Sequence, residues 1–432
     1  AGTGSVQLDG EGTIQKANLL VKAAEAQKVY NGNTNTDTVT GGILSKLTID
    51  GVYYDTAKAA VKAGGAYEAS ATLNHTPAHD EYRAKYRDPN VKPKDGKANA
   101  VNYSHIQLVD QANNYNLVYQ TTEGIKDLEA DTTAGYYKMT GAGKITPKAL
   151  TATVVNQHIT KVYDAMREQT DGNRHIIKGD PLVTLSGFVT GESRTNTSTA
   201  MYATKNVVLD AFGSPTTQAV DYTASFVRPA GAESDNYTLD PTGTTVSNSA
   251  AIAGSYTGVI TPRSLTMTFT PVTKIYDGTD TNTDKELATL NDGAGGAVVT
   301  ADGITTTNFN MTGVTSRYGS GTGASFASNV NAGSRTVEYT GLAGTLSDNN
   351  YKIVDTQYGT GTITRRRIDP TGFQVRKSDG TVANATKVYD GNDRYTLPSG
   401  AYLTTPVAPS PTTGLVTRDY GKITFDLKSG SA

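Results

Sequence analysis

The sequence predicts a mainly β chain: tandem β-rich modules in an elongated rod, with one short helix in the first module. Three observations lead there. The chain carries 45 Gly, and 25 Tyr against 8 Phe and 0 Trp, with Thr abundant throughout. Thr and Tyr suit half-buried pleated surfaces, and Gly supplies the turns between short strands. A Lys-x-Tyr-Asp/Asn box recurs four times, and each copy is flanked by the same landmarks in the same order. Segments such as Leu265-Thr-Met267-Thr-Phe269 alternate apolar with Thr at period two, as a strand with one buried face does.

The totals bound the rest. A length of 432 residues implies roughly three or four domains. Only 36% of residues are apolar, which implies thin cores repeated several times. With 41 acidic and 39 basic residues the formal charge is −2, which offers no footprint for nucleic acid or an anionic membrane. The longest basic run, Arg365 to Arg367, reads as a solvated strand or a junction face. The absence of cysteine excludes disulfides, thiolate metal sites and cysteine nucleophiles. No signal peptide opens the sequence and no apolar run approaches the roughly 20 residues a membrane helix needs, so the chain reads as a mature segment or fragment.

The boxes read Lys28-Val-Tyr30-Asn-Gly, Lys161-Val-Tyr163-Asp-Ala, Lys274-Ile-Tyr276-Asp-Gly and Lys387-Val-Tyr389-Asp-Gly. Their lysines are 133, 113 and 113 residues apart. Asx-Gly after an apolar strand residue signals a tight turn, because Gly tolerates positive φ. Ala165 takes the Gly place in the second box, which predicts a relaxed turn there at a cost of roughly 1 kcal/mol. A Tyr beside a Lys reads as a ring packed at the rim of a core with the lysine stem snorkelling to solvent.

Before each box a Gly-x-Ile segment runs into a strand, pairing Ile14 with Leu19, Ile145 with Leu150, Ile260 with Leu265 and Ile363 with Ile368. Late in each module Val101-Asn-Tyr103, Val220-Asp-Tyr222 and Val337-Glu-Tyr339 lead to Asn-Tyr-x-Leu/Ile segments containing Tyr115, Tyr237 and Tyr351. These landmarks divide the chain into a closing strand over 1–13, a first module with an insertion over 14–144, and modules over 145–259 and 260–362. A partial module over 363–432 follows, in which no Asn-Tyr-x-Leu segment occurs. Within the insertion, Asp55 to Gly64 has an N-cap, Ala-rich helix formers and a terminal Gly, which predicts the short helix. Flexible linkers are absent, so consecutive modules join tightly.

The box, the Asn-Tyr-x-Leu segment and the Gly-x-Ile-Thr-Pro-Lys-x-Leu stretch of Gly143 to Leu150 resemble the YDG/MBG-type repeats of filamentous-haemagglutinin-like bacterial adhesins and exoproteins. The resemblance covers nearly the whole chain from about Ile14. It implies Ig-like sandwich or β-grasp-like modules, export to the cell surface or beyond, and no catalytic residues.

Chemistry-bearing motifs are sparse. His75 and His79 lie four apart near Asp80 and Glu81, but Pro77 between them opposes the helix a His-x-x-x-His metal site needs. Neither a Gly-x-Ser-x-Gly elbow nor a phosphate loop occurs, so no enzyme is expected and no cofactor beyond a calcium candidate. That candidate is Asp280-x-Asn282-x-Asp284-x-Glu286, whose oxygen side chains alternate as in a calcium loop, although Lys285 stands where such a loop has Gly.

At the N-terminus, Ser5-Val6-Gln-Leu8 and Gly12-Thr-Ile14 match the closing elements that the last module lacks, with Val6 in the Tyr place. Val6, Leu8 and Ile14 are therefore candidate donor-strand residues for a neighbouring copy, which would give a head-to-tail homopolymer or filament. The sequence thus leads to a secreted structural or adhesive repeat protein, whose partner is itself or a longer parent chain. The alternative is an adhesin stalk that binds glycan or a host protein through the insertion around Tyr53 to Tyr86.

Overall fold

The structure is a computed structural model of all 432 residues. It describes residues 13, 15–53, 84–108, 115–132, 134–172, 174–292, 298–368, 374–384, 386, 388–392, 398–404 and 414–419. The chain is mainly β, as composition and alternation predict, with short 3-10 turns between strands. The helix expected over 55–64, the histidines His75 and His79, and the donor residues Val6, Leu8 and Ile14 lie outside the described residues.

Two compact units divide the chain. The first comprises Ala1–Ile159, Ile176–Ala203 and Ala219–Gly258, the second Thr160–His175, Thr204–Gln218 and Val259–Ala432.

In the first unit, one sheet has the strand order Leu47–Tyr53, Ala17–Ala23, Tyr115–Thr121, Gly124–Asp127. The Asn-Tyr-x-Leu strand lies parallel to the first strand, with Ala17 opposite Tyr115 and Leu19 opposite Leu117. A second sheet holds the box strand Ala26–Val29 parallel to Tyr137–Thr146, with Lys28 opposite Ile145. Ala100–Ile106 and Ala84–Tyr86 continue that sheet, and Glu129–Ala130 pairs beside Tyr137–Thr146.

The second unit repeats the plan. Arg263–Phe269 lies between Leu287–Asp292 and the parallel strand Tyr351–Ile353, with Leu265 opposite Ile353. The box strand Val272–Ile275 runs parallel to Gln357–Thr364, with Lys274 opposite Ile363. Leu265, Met267 and Phe269 are buried while Ser264 and Thr268 face out, so the alternation read from sequence sets the core face. Phe269 from one sheet stacks on Tyr339 from the other at 3.5 Å between centroids, which joins the two layers.

The glycine of each Gly-x-Ile segment now has a reason. A Cβ on Gly143 would come within 3.0 Å of the Tyr86 ring, one on Gly258 within 2.6 Å of Tyr202, and one on Gly361 within 2.6 Å of Tyr318. The missing side chain is the slot in which a tyrosine from the next strand but one of the same sheet lies. The strand that ends in Thr146 pairs with the first box, whereas Lys148 already pairs with Tyr237. The handover from one repeat to the next therefore falls at Pro147, a residue that has no N–H to give a sheet.

Candidate functional site: the lysine cage and the tyrosine clasp

Each described box lysine reaches back over the loop that follows it. Lys28 Nζ donates to Asn31 Oδ1 at 2.7 Å, to the Asn33 carbonyl at 2.8 Å and to the Asn35 carbonyl at 2.8 Å. Lys161 Nζ donates to Asp164 Oδ1 at 2.8 Å and to the carbonyls of Met166 and Glu168 at 2.6 and 2.8 Å. Lys274 Nζ meets Asp277 Oδ1 at 2.8 Å and the carbonyls of Thr279 and Thr281 at 2.7 and 3.1 Å. The acceptors always stand three, five and seven residues on, and three acceptors match an ammonium's three hydrogens. The ring of Tyr86 lies 5.1 Å from Lys28 Nζ, and that of Tyr318 lies 5.3 Å from Lys274 Nζ.

The snorkelling stem expected from sequence is thus replaced by a caged head group. Lys28 is 1% exposed and Lys161 is 6% exposed. Burying an ammonium costs several kcal/mol unless every proton is met, which is what the loop carbonyls do. Burial still pushes Lys28 down to about 8, against the pull of Asp37. Lys161 is lowered by burial too, with Asp164 and Glu168 opposing. Ala165 keeps the left-handed backbone of its Gly counterparts, with φ +62° beside +80° at Gly32 and +77° at Gly278. The relaxed turn predicted there does not form, because the cage fixes the loop on both sides of Ala165.

The box tyrosines point into a second device. Tyr30 Oη donates to Glu192 Oε1 at 2.7 Å, and Tyr237 Oη donates to Glu192 Oε2 at 2.9 Å. The two rings meet edge to face at 5.5 Å and 80°. The Val189 amide donates to Tyr237 Oη at 2.9 Å. In the second unit Tyr163 Oη lies 3.0 Å from both Asp302 oxygens, and Tyr351 Oη donates to Asp302 Oδ2 at 2.6 Å. Those rings meet at 5.5 Å and 75°, and the Val299 amide donates to Tyr351 Oη. In both cases a box tyrosine from one repeat and the Asn-Tyr tyrosine of the next share one carboxylate.

The asparagine of each Asn-Tyr pair tightens the same clasp. Asn236 Oδ1 accepts from the Val91 amide at 3.0 Å and its Nδ2 donates to Asn90 Oδ1 at 2.8 Å. Asn350 Oδ1 accepts from the Val207 amide at 2.8 Å, and its Nδ2 faces Asn206 Oδ1 at 3.4 Å. Burial pushes Tyr237 up to about 12, with the Glu192 hydrogen bond adding to it. Tyr30, Tyr163 and Tyr351 are raised further for the same two reasons, burial first.

The clasp carboxylates escaped the sequence reading, yet they have a signature. Val189-Thr-Gly-Glu192, Val299-Thr-Ala-Asp302 and Val416-Thr-Arg-Asp419 share Val-Thr-x-Asp/Glu. In each the carboxylate residue's amide bonds back to the valine carbonyl. At the third, among the described residues, one tyrosine is seen: Tyr276 Oη donates to Asp419 Oδ2 at 2.7 Å.

The remaining sequence candidates fall as follows. Tyr115 is buried opposite Ala17. Tyr389 is 91% exposed, unlike its three counterparts, and Lys387 lies outside the described residues. The calcium candidates are not brought together. Asp280 Oδ2 accepts from Ser328 Oγ, and Asn282 is spent on the backbone of Asp284. Among the described residues no three His, Cys, Asp or Glu side chains gather where they could hold a metal ion. No described helix is long and apolar enough to cross a membrane.

No family model and no curated protein matches this chain. Among solved structures it is similar to one titled "Protocadherin gammaB7 EC3-6 cis-dimer structure", with 7% identity and a TM-score of 0.20, over 84% of this chain and 76% of that one. At that score no residue or contact is argued from the likeness.

Proposed function

We propose that the chain is a structural, adhesive-class surface protein whose work is to link β repeats in series. One observation carries this reading: the same clasp, two tyrosines on one carboxylate, recurs between the first and second repeats and between the second and third. A strain that separates two neighbouring repeats must break both hydroxyl–carboxylate bonds and the asparagine–amide bond together. The resemblance of the boxes to YDG/MBG-type repeats supports an extracellular or cell-surface location.

The same reading extends to assembly: copies join head to tail by β-strand donation, with Val6, Leu8 and Ile14 in the donor strand. Negative-stain electron microscopy of the purified chain, and of a variant lacking residues 1–13, tests it. End-to-end strings that vanish on deletion are expected, and unchanged strings after deletion would sink the donor-strand role. The glycan or host-protein reading rests on residues 54–83, outside the described ones, and nothing in the structure favours it.

A further inference from the structure

Of the four boxes, the first alone has an amide where the others have an acid: Asn31 stands in the place of Asp164, Asp277 and Asp390. In the second and third cages that acid faces the lysine, Asp164 Oδ1 at 2.8 Å from Lys161 Nζ and Asp277 Oδ1 at 2.8 Å from Lys274 Nζ. In the first, the buried Lys28 ammonium is met by side-chain amide and backbone oxygens alone, those of Asn31, Asn33 and Asn35. A buried cation held without a carboxylate keeps part of its desolvation cost. Asn31 also precedes Gly32, and this is the one Asn-Gly pair in the chain.

The groups around that pair are arranged for one reaction. Two donors point at Asn31 Oδ1: Lys28 Nζ at 2.7 Å and the Asn33 amide at 3.4 Å. Lys28 spends its three hydrogens on the Asn31, Asn33 and Asn35 oxygens, so it is an ammonium with no lone pair to attack with. It acts instead as a fixed positive donor that polarises the Asn31 Cγ carbonyl and favours negative charge on its oxygen. The adjacent nucleophile is the Gly32 nitrogen. Among the described residues nothing accepts a hydrogen bond from the Gly32 amide, and the absent side chain leaves that nitrogen unshielded. The leaving group, Asn31 Nδ2, donates to Thr38 Oγ1 at 3.3 Å, and Thr38 is exposed.

We propose that Asn31 is a site of self-modification, at which the folded chain, with Lys28 as the activating cation, converts the amide to the aspartate that the other boxes encode. The Gly32 nitrogen bonds to Asn31 Cγ and its proton passes to water. The Cγ–Nδ2 bond breaks and ammonia leaves, which closes a five-membered imide. Water then opens the imide at Cγ, the carbonyl that Lys28 polarises, and the Gly32 nitrogen regains a proton. The product is an ordinary aspartate at position 31, not the isomer in which the main chain runs through the side chain. The first cage thereby gains the ion pair that Asp164 and Asp277 give the other two.

The test follows the full chain by mass spectrometry after tryptic digestion, incubated folded and, separately, unfolded in urea. The fragment 29–46 should become about 1 Da heavier, with fragment ions placing the change at residue 31. The folded chain should convert faster than the unfolded one, by about tenfold, as a fixed donor at a developing oxyanion implies. A folded rate equal to or below the unfolded rate would overturn the proposal, since the cage would then protect the amide. Lys28→Met, checked as folded by circular dichroism, should lose the advantage, and keeping it would overturn the part given to Lys28. Two further variants need no change at Lys28. Asp277→Asn puts the amide before Gly278 and under Lys274, and should regain the acid; Asp164→Asn is followed by Ala165 and should stay an amide. An amide that persisted in both would overturn the proposal. A chain about 17 Da lighter and resistant to trypsin at Lys28 would show that the amine itself had attacked, which would also overturn it. So would the main-chain-shifted isomer as the chief product.

Discussion

Replacing Asp302 by alanine removes the shared acceptor of the second clasp. Three short contacts go at once, two from Tyr163 Oη at 3.0 Å and one from Tyr351 Oη at 2.6 Å. A hydroxyl bonded to a carboxylate contributes about 1.5–3 kcal/mol. Asp302 is only half buried, so water takes over part of the loss, and Tyr351 keeps the Val299 amide. The expected cost is therefore about 2–4 kcal/mol for two hydroxyls. The matching change Asp419→Ala removes a single bond, from Tyr276, and should cost about half as much. Urea unfolding followed by tyrosine fluorescence is a suitable assay, since the chain has no Trp to obscure it. The decisive form is a cycle with Tyr163→Phe: about 1–2 kcal/mol in the wild-type background and near zero in Asp302→Ala. If Tyr163→Phe costs the same in both backgrounds, the tyrosine does not act through the carboxylate and the reasoning fails.

Other outcomes follow from the cages and the buried rings. Lys161→Met leaves the fully buried Asp164 carboxylate without its cation and should cost about 3–5 kcal/mol, whereas Lys28→Met strands only an amide oxygen and carbonyls and should cost less, about 1–3 kcal/mol; paired melting curves check the order. Ala165→Gly relieves a side chain held at φ +62° and should raise stability by about 0.5–1 kcal/mol in the same assay. Stability should also bend with alkaline pH. Lys28, lowered to about 8, binds fewer protons folded than unfolded between there and 10.5, so its contribution rises across that window. The buried tyrosines are raised above 10, so the unfolded chain releases their protons first and stability falls as pH climbs past 10. A melting temperature that kept rising through pH 11 would contradict the tyrosine assignment.

Much of this was legible in the sequence, and the gaps have physical causes. Period-two alternation at Leu265 to Phe269 gave the strand and its inward face, because one sheet face must be buried. The three landmarks mark real pairings: the Asn-Tyr strand lies beside the strand after Gly-x-Ile, and the box strand lies beside Gly-x-Ile itself. Lys28 was read as solvated because a charged head group is seldom buried, and nothing local announces that carbonyls five and seven residues on will turn inward. The clasp carboxylate was overlooked because it changes type between Glu192 and Asp302 and stands 31, 28 and 32 residues after the box lysines 161, 274 and 387. One of its two tyrosines, Tyr30 or Tyr163, comes from the preceding repeat, so no window within one module contains the device.

The central claim is that a box tyrosine and the Asn-Tyr strand of the following repeat open as one. Native-state hydrogen exchange by mass spectrometry on the wild type and Asp302→Ala measures this directly. The account predicts faster exchange in Asp302→Ala at Val299–Asp302, at the Val207 amide held by Asn350, and in the loop after Tyr163, all by similar factors. Loss of protection confined to 299–302, with the Tyr163 loop and Val207 unchanged, would contradict it.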